Sequence, residues 1–227
     1  MGETIMNREK TTYVILGGTS GIGEAIAQLV NHEENIVHVA SRSTGLDISN
    51  EKEMHCYFES IGAFDHLIVT AGSAAPAGKV TDVAIDEAKG AFDVKFWGSI
   101  NAAKQAARFI KPNGTITFTT GMLSRKVVPN TYAKTAMNAA LEAVTKILAR
   151  ELAPIRVNAV SPGLTKTTAY KGMDQATRDT MYENAKNSLP VGKVGEAQDV
   201  AKAYLFAIEN TYMTGAIIDV DGGALIN

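Results

Sequence analysis

Short runs of β-branched and aliphatic residues alternate along the chain with longer stretches whose apolar positions recur at helical spacing. Residues 13–16 read as a buried strand, followed by a helix over residues 21–30 with Ala25, Ile26, Leu29 and Val30 on one side. Residues 36–40 predict a second strand, 51–61 a helix and 67–70 a third strand. An Ala-rich pattern over residues 86–110 predicts one long helix, which Lys111-Pro112-Asn113-Gly114 separates from a strand at 115–119. A second long helix spans residues 131–152. Strands at 155–160 and 216–220, with a helix at 199–208 between them, complete the pattern.

The strands are continuously apolar rather than half-polar, and they alternate with helices. Both features predict an α/β fold: a doubly wound parallel sheet of Rossmann-like type, with helices on both faces. No Ser/Pro-rich linker and no internal repeat divides the chain, so residues 12–227 are expected to form one domain behind a flexible polar segment at 1–11. That segment lacks the apolar stretch of a signal peptide, and no run reaches the roughly eighteen apolar residues of a membrane span.

Composition narrows the function classes. Lys and Arg number 22 against 24 Asp and Glu, and no window concentrates the basic residues, which argues against a nucleic-acid surface. Cys56 is the single cysteine and cannot form an internal disulfide, so a reducing, cytoplasmic setting is expected. His32, His38, His55 and His66 are scattered without metal-ligand spacing, so no catalytic metal is expected. His38 and His66 lie in or beside apolar strands and are expected to be buried and satisfied.

Leu16-Gly17-Gly18-Thr19-Ser20-Gly21-Ile22-Gly23 follows the first strand and opens the first helix. Gly17, Gly21 and Gly23 permit a tight turn and a close approach to a pyrophosphate, which the N–H groups of the helix start attract. The strand–turn–helix setting is what turns a glycine pattern into a nucleotide-binding prediction. With Thr70-Ala71-Gly72 after the strand at 67–70, Arg156-Val157-Asn158-Ala159-Val160-Ser161-Pro162-Gly163, and the stretch from Thr214 to Gly223, it resembles the short-chain dehydrogenase/reductase family. The resemblance runs from about Thr12 to Ala224, and places residues 69–72 after the family's fourth strand and residues 156–163 on its sixth.

The resemblance implies a nicotinamide cofactor. At the end of the second strand, where a carboxylate would accept from the ribose of NAD(H), the chain has Ser41-Arg42. Arg42 offers a fork of donors to a 2′-phosphate, and Thr19, Ser20 and Ser41 add hydroxyls, so NADP(H) is expected. Asp47 and Ile48 match the family's adenine-side pair. Thr165 and Thr167, after Pro162 and Gly163, match positions that hold the nicotinamide carboxamide and the pyrophosphate.

The family's chemistry rests on Ser, Tyr and Lys, with a helical Asn behind them, and this chain departs from that set. Tyr132-Ala133-Lys134 has its lysine two residues along instead of four. Counting back from the gap-free match at residues 140–154 puts the Lys position at Asn138 and the Tyr position at Lys134. The Ser position falls at Thr120, with Thr119 one residue away as the alternative, and the Asn position falls at Lys95. Lys and Asn thus stand exchanged. A rewired relay is expected: Thr120 orients the substrate oxygen, Lys134 or Tyr132 gives the proton, and Lys95 supplies positive charge.

Residues 165–195 contain no convincing strand and, by the resemblance, cap the substrate site; Tyr170, Met173, Met181 and Tyr182 either line an apolar pocket or form the buried face of a short helix. Ala102, Ala103, Ala106, Ala136 and Ala140 allow close helix packing, either within the chain or in the homodimer or homotetramer common among relatives. The leading expectation is an NADP(H)-dependent oxidoreductase reducing a small-molecule carbonyl to an alcohol. A catalytically silent NADP(H)-binding regulatory protein is the alternative, and an isomerase or epimerase of the same fold a third.

Overall fold

The structure, a computed structural model, describes residues 9–72 and 75–227. In chain order it runs β1 (Thr11–Leu16), α1 (Gly21–Val30), β2 (Asn35–Ala40), α2 (Glu51–Ile61), β3 (Phe64–Val69), α3 (Ile85–Phe92), a π-turn (Asp93–Trp97), α4 (Gly98–Ala106) and β4 (Ile110–Thr119). It continues with α5 (Tyr132–Glu151), β5 (Arg156–Pro162), β6 (Thr165–Lys166), α6 (Gln175–Ser188), β7 (Gly195–Glu196), α7 (Ala197–Glu209) and β8 (Ile217–Val220).

Six strands form one sheet in the order β2-β1-β3-β4-β5-β8, and every pairing is parallel. Parallel neighbours need crossovers, which the helices supply on both faces. Val14 and Leu16 point to the face covered by α2, α4 and α5, among Phe58, Ala102 and Leu141. Ile15 points the other way, against Ile26 of α1 and Tyr204 of α7. Burial on both faces explains why β1 and β3 read as unbroken apolar runs. Each fully buried aliphatic or aromatic side chain in these layers contributes about 1.5–3 kcal/mol. The doubly wound α/β fold expected from the alternation is the fold observed.

The chain leaves β1 toward β2 and then returns past β1 to β3, so connections diverge at the C-terminal ends of β1 and β3. Open parallel sheets hold their ligands at such a switch point.

Several elements differ from expectation. The expected helix at 86–110 is interrupted by the π-turn and ends at Ala106. The Lys-Pro-Asn-Gly stretch lies inside β4 as a bulge: the ladder pairs Phe64 with Ile110 and resumes at His66 with Thr115. Asn113 at φ 67 accommodates the shift, and a Cβ at Gly114 would lie 2.3 Å from Asp65 O. In this chain's own count residues 69–72 follow the third strand and residues 156–162 form the fifth, one fewer in each case than the resembling family's numbering. From β2 the chain passes only through a 3-10 turn at Arg42–Thr44 before α2, which leaves β2 as the sheet edge. Residues 165–195 do contain strands, β6 and β7, two residues each and paired in parallel. They also contain α6, which fully buries none of its residues; Tyr170 and Tyr182 meet edge-on at 6.2 Å. Of the polar segment at 1–11, residues 1–8 lie outside the described residues, and β1 begins at Thr11.

Candidate active site

The turn after β1 is held by its backbone. Gly17 sits at φ +87, and a Cβ there would lie 2.6 Å from Ala71 N. At Gly23 a Cβ would lie 2.3 Å from Gly17 O and 2.4 Å from Thr70 Oγ1. The turn after β3 presses on it: Thr70 N and Oγ1 both donate to Leu16 O, at 2.8 and 3.1 Å. Ser20 caps α1 without using its side chain, so the first N–H groups of the helix face the cleft with no side-chain acceptor from the cap.

A cleft of about 750 Å³ opens over this turn. Gly17, Thr19, Ser20, Gly21, Ile22, Gly23, Ser41, Arg42, Asp47, Ile48, Thr70, Ala71, Gly72 and Thr167 all line it. Pro162, Gly163 and Thr165 do not. A Cβ at Gly163 would fall 2.6 Å from Asp221 Cα, and the buried Thr165 donates to Gly163 O at 3.1 Å, so these residues pack the end of β5. At the β2 end, Thr19 Oγ1 donates to Ser41 Oγ at 2.9 Å, and the Ser41 and Ser43 hydroxyls are 2.7 Å apart. Arg42 is exposed beside them with no ion-pair partner among the described residues. Asp47 accepts from Ser49 N and Oγ at 2.9 and 2.7 Å, and these bonds hold its carboxyl below the ordinary range.

Ser43, Leu46, Val94, Thr168, Ala169, Lys171 and Gly172 also line the cleft and were missed. Ser43 had a signal, a hydroxyl next to Arg42. The other six come from loops and the π-turn, where no periodicity marks a facing residue.

Of the expected relay residues, Lys95, Thr120 and Asn138 come together beside the cleft that Val94 and Thr119 line, whereas Tyr132 and Lys134 do not join them. The π-turn carries Lys95, and its carbonyl accepts from Ser99 Oγ at 2.5 Å. A π-turn inserts a residue into the helical register and re-aims the side chains it contains, which is why such turns recur at functional sites. Lys95 Nζ donates to Asn138 Oδ1 at 2.6 Å and to Thr120 O at 2.9 Å. The two residues exchanged in sequence are therefore bonded to one another between the π-turn and α5. Burial pushes the Lys95 ammonium down to about 8, opposed by the negative charge of Glu142.

Thr120 is 4% exposed, and its hydroxyl lies 3.3 Å from both Glu142 Oε1 and Val160 O. Glu142, four residues after Asn138 on α5, also accepts from Ser124 Oγ at 2.6 Å and pairs with Arg125 at 3.3 Å. Its i, i+4 spacing from Asn138 was a usable signal that went unread. Arg125 continues the network to Ser161 and Asp219. Thr119 does line the cleft, but its hydroxyl donates to Val69 O at 2.8 Å and meets Tyr204 Oη at 2.6 Å. Tyr132 buries its phenol oxygen without a hydrogen-bond partner, and Lys134, partly exposed, makes no ion pair among the described residues.

Comparison with known proteins places this geometry. A family model described as enoyl-(acyl carrier protein) reductase matches residues 34–224. A short-chain dehydrogenase/reductase of Stachybotrys chlorohalonatus is 32% identical, covering 95% of this chain and 97% of that protein. Carbonyl reductase family member 4 of Xenopus laevis is 28% identical over 92% of this chain and 95% of its own. Among solved structures, a small-chain dehydrogenase in complex with NADPH is 68% identical, with a TM-score of 0.95 over 96% of this chain and all of the other. A strand–turn–helix cleft on a doubly wound sheet, matched along nearly the whole chain by these relatives, assigns the chain to the short-chain dehydrogenase/reductase family.

Proposed function

We propose that the chain is an NADP(H)-dependent oxidoreductase that reduces a carbonyl to an alcohol. The observation that carries the cofactor is the cleft itself: glycine backbone and a helix N-terminus at one end, Arg42 with the Thr19, Ser41 and Ser43 hydroxyls at the other. The donors suit a 2′-phosphate, and no carboxylate stands at the end of β2 to take a ribose hydroxyl. When bound, NADPH supplies the hydride that reaches the carbonyl carbon.

The chain's own part is to hold the substrate oxygen and deliver a proton to it. Hydride addition alone leaves an alkoxide; one proton from the Lys134 ammonium or the Tyr132 phenol completes the alcohol, and solvent reprotonates part-exposed Lys134 directly, the buried Tyr132 phenol only once water reaches it. Lys95 supplies the positive charge that favours the transfer. Support for this role is its buried ammonium, held by Thr120 O and Asn138 Oδ1 with one N–H left over among the described residues. Thr120 contributes chiefly through that carbonyl, and its hydroxyl reaches substrate only by leaving Glu142 and Val160 O. Residues 165–195 cap the substrate, and Trp97 and Ile147, 58% and 56% exposed, offer apolar area for a homo-oligomer.

A second reading, a silent NADP(H)-binding protein, is favoured by one observation. The hydroxyls of Thr119 and Thr120 are both committed to protein partners. NADPH titration followed by NADPH consumption against a panel of aldehydes and ketones divides the two readings. Binding with turnover supports the reductase, and Lys134→Ala or Tyr132→Phe then identifies the donor. Binding with no turnover on any of them supports the silent protein.

A further inference from the structure

The segment between β5 and α6 carries a cation beside the cleft. Lys171 follows a 3-10 turn at Thr168–Tyr170, whose start is fixed by Thr167 Oγ1 accepting from Ala169 N at 3.3 Å. Thr167 lies against the first turn of α1, since a Cβ at Gly21 would sit 3.2 Å from Thr167 Cβ. The segment therefore crosses the helix N-terminus, where backbone N–H groups attract phosphate. Lys171 lines the cofactor cleft there, and it also lines a second cleft of about 480 Å³ on the far side of the segment.

Charge decides which side Lys171 serves. In the second cleft Lys166 is paired with Glu196 at 2.8 Å, and Arg178 and Glu24 supply one further charge of each sign. In the cofactor cleft the lining side-chain charges are Arg42 and Lys171 against Asp47, and Asp47 is engaged by Ser49. NADP(H) brings two separate anionic groups, a 2′-phosphate and a diphosphate. Arg42 stands with the hydroxyls of the β2 end. Among the described lining residues, that leaves Lys171 as the side-chain cation for the diphosphate, and it has no ion-pair partner.

We propose that Lys171 is a cofactor-holding residue whose ammonium contacts the diphosphate of NADP(H). This rests on the cofactor reading above and adds a second, separable charge contact to it.

Fluorescence titration with NADPH, using ADP-ribose and 2′-AMP as competitors, separates the two cations. ADP-ribose carries the diphosphate without the 2′-phosphate, and 2′-AMP the reverse. Lys171→Met is expected to weaken NADPH and ADP-ribose about tenfold and to leave 2′-AMP within about twofold. Lys171→Arg restores most of the loss, and raised salt shrinks it. Arg42→Ala shows the opposite selectivity; if it does not, the 2′-phosphate assignment fails while that of Lys171 stands. ADP-ribose affinity within about twofold of wild type in Lys171→Met, or an equal loss for 2′-AMP, overturns the proposal.

Discussion

The cleft at the ends of β1 and β3 and the polar cluster between the π-turn and α5 lie side by side and are built by opposite means. At the cleft, recognition comes from main-chain geometry: positive φ at Gly17, atoms too close at Gly23 for any Cβ, and a helix start. At the cluster, side chains from three separate elements meet: Lys95 from the π-turn, Thr120 beyond β4, and Asn138 and Glu142 from α5. A backbone site is tied to its local sequence, because only glycine fits where a Cβ would strike main chain. A side-chain site is tied only to which groups reach a shared volume, so an ammonium and an amide can trade helices and still touch.

The largest expected effect breaks the first half of this contrast. Gly23→Ala drives a methyl into Gly17 O, which cannot retreat without moving β1, so NADPH affinity should fall by at least about a hundredfold and stability by roughly 3 kcal/mol. Titration and thermal unfolding check it; unchanged affinity would mean that the turn is not the binding element.

Next, Lys95→Met probes the other half. On the proposed role of the ammonium in proton transfer, turnover should fall about a hundredfold, while the Kd for NADPH stays within about twofold because Lys95 does not line the cleft. An equal loss in binding would merge the two regions into one. Arg42→Ala should then cost about tenfold or more in NADPH affinity and leave NADH unchanged, as measured by parallel titrations.

The smallest effects are in pH. The Lys95 ammonium titrates near 8 in the fold against an ordinary 10.5, so between these values the unfolded chain holds a proton that the folded chain has released. Stability therefore gains from this group as pH rises through that window, and the gain should vanish in Lys95→Met. Turnover that needs the charged form should decline as pH passes about 8. Partly buried His66, held near 4 chiefly by desolvation and bonded to Thr115 at 2.9 Å, works at the acid end: it stays neutral in the fold and its contribution is lost as pH falls from about 6.5 toward 4. Unfolding temperature measured against pH in wild type and Lys95→Met tests both windows.

The same division separates what is legible in the sequence from what is not. The glycine turn, the β2 end and the turn after β3 are short local motifs following strands, and nearly all of their predicted residues line one cleft. Strand and helix identities followed from continuous apolar runs and helical periodicity. The π-turn did not, because one inserted residue leaves the composition of a helix unchanged while shifting its register. Nor did the bulge at Lys111–Gly114, since Pro, Asn and Gly signal a break and do not say whether pairing resumes on the far side. Gly163 shows the limit of motif matching: its side-chain-free position is explained by contact with Asp221. The pairing of Lys95 with Asn138 was legible as an exchange of residue types, whereas the commitment of Thr120 to Glu142 depended on side-chain direction that no spacing reveals.

The most direct test is NADPH consumption by wild type and Lys95→Met, run at matched cofactor saturation against the same aldehydes and ketones. Turnover by wild type that is lost in the variant, with NADPH binding intact in both, is the expected result. Equal turnover in the two proteins, or NADPH binding without consumption in wild type on any carbonyl tried, would contradict a reductase whose proton delivery depends on the buried ammonium of Lys95.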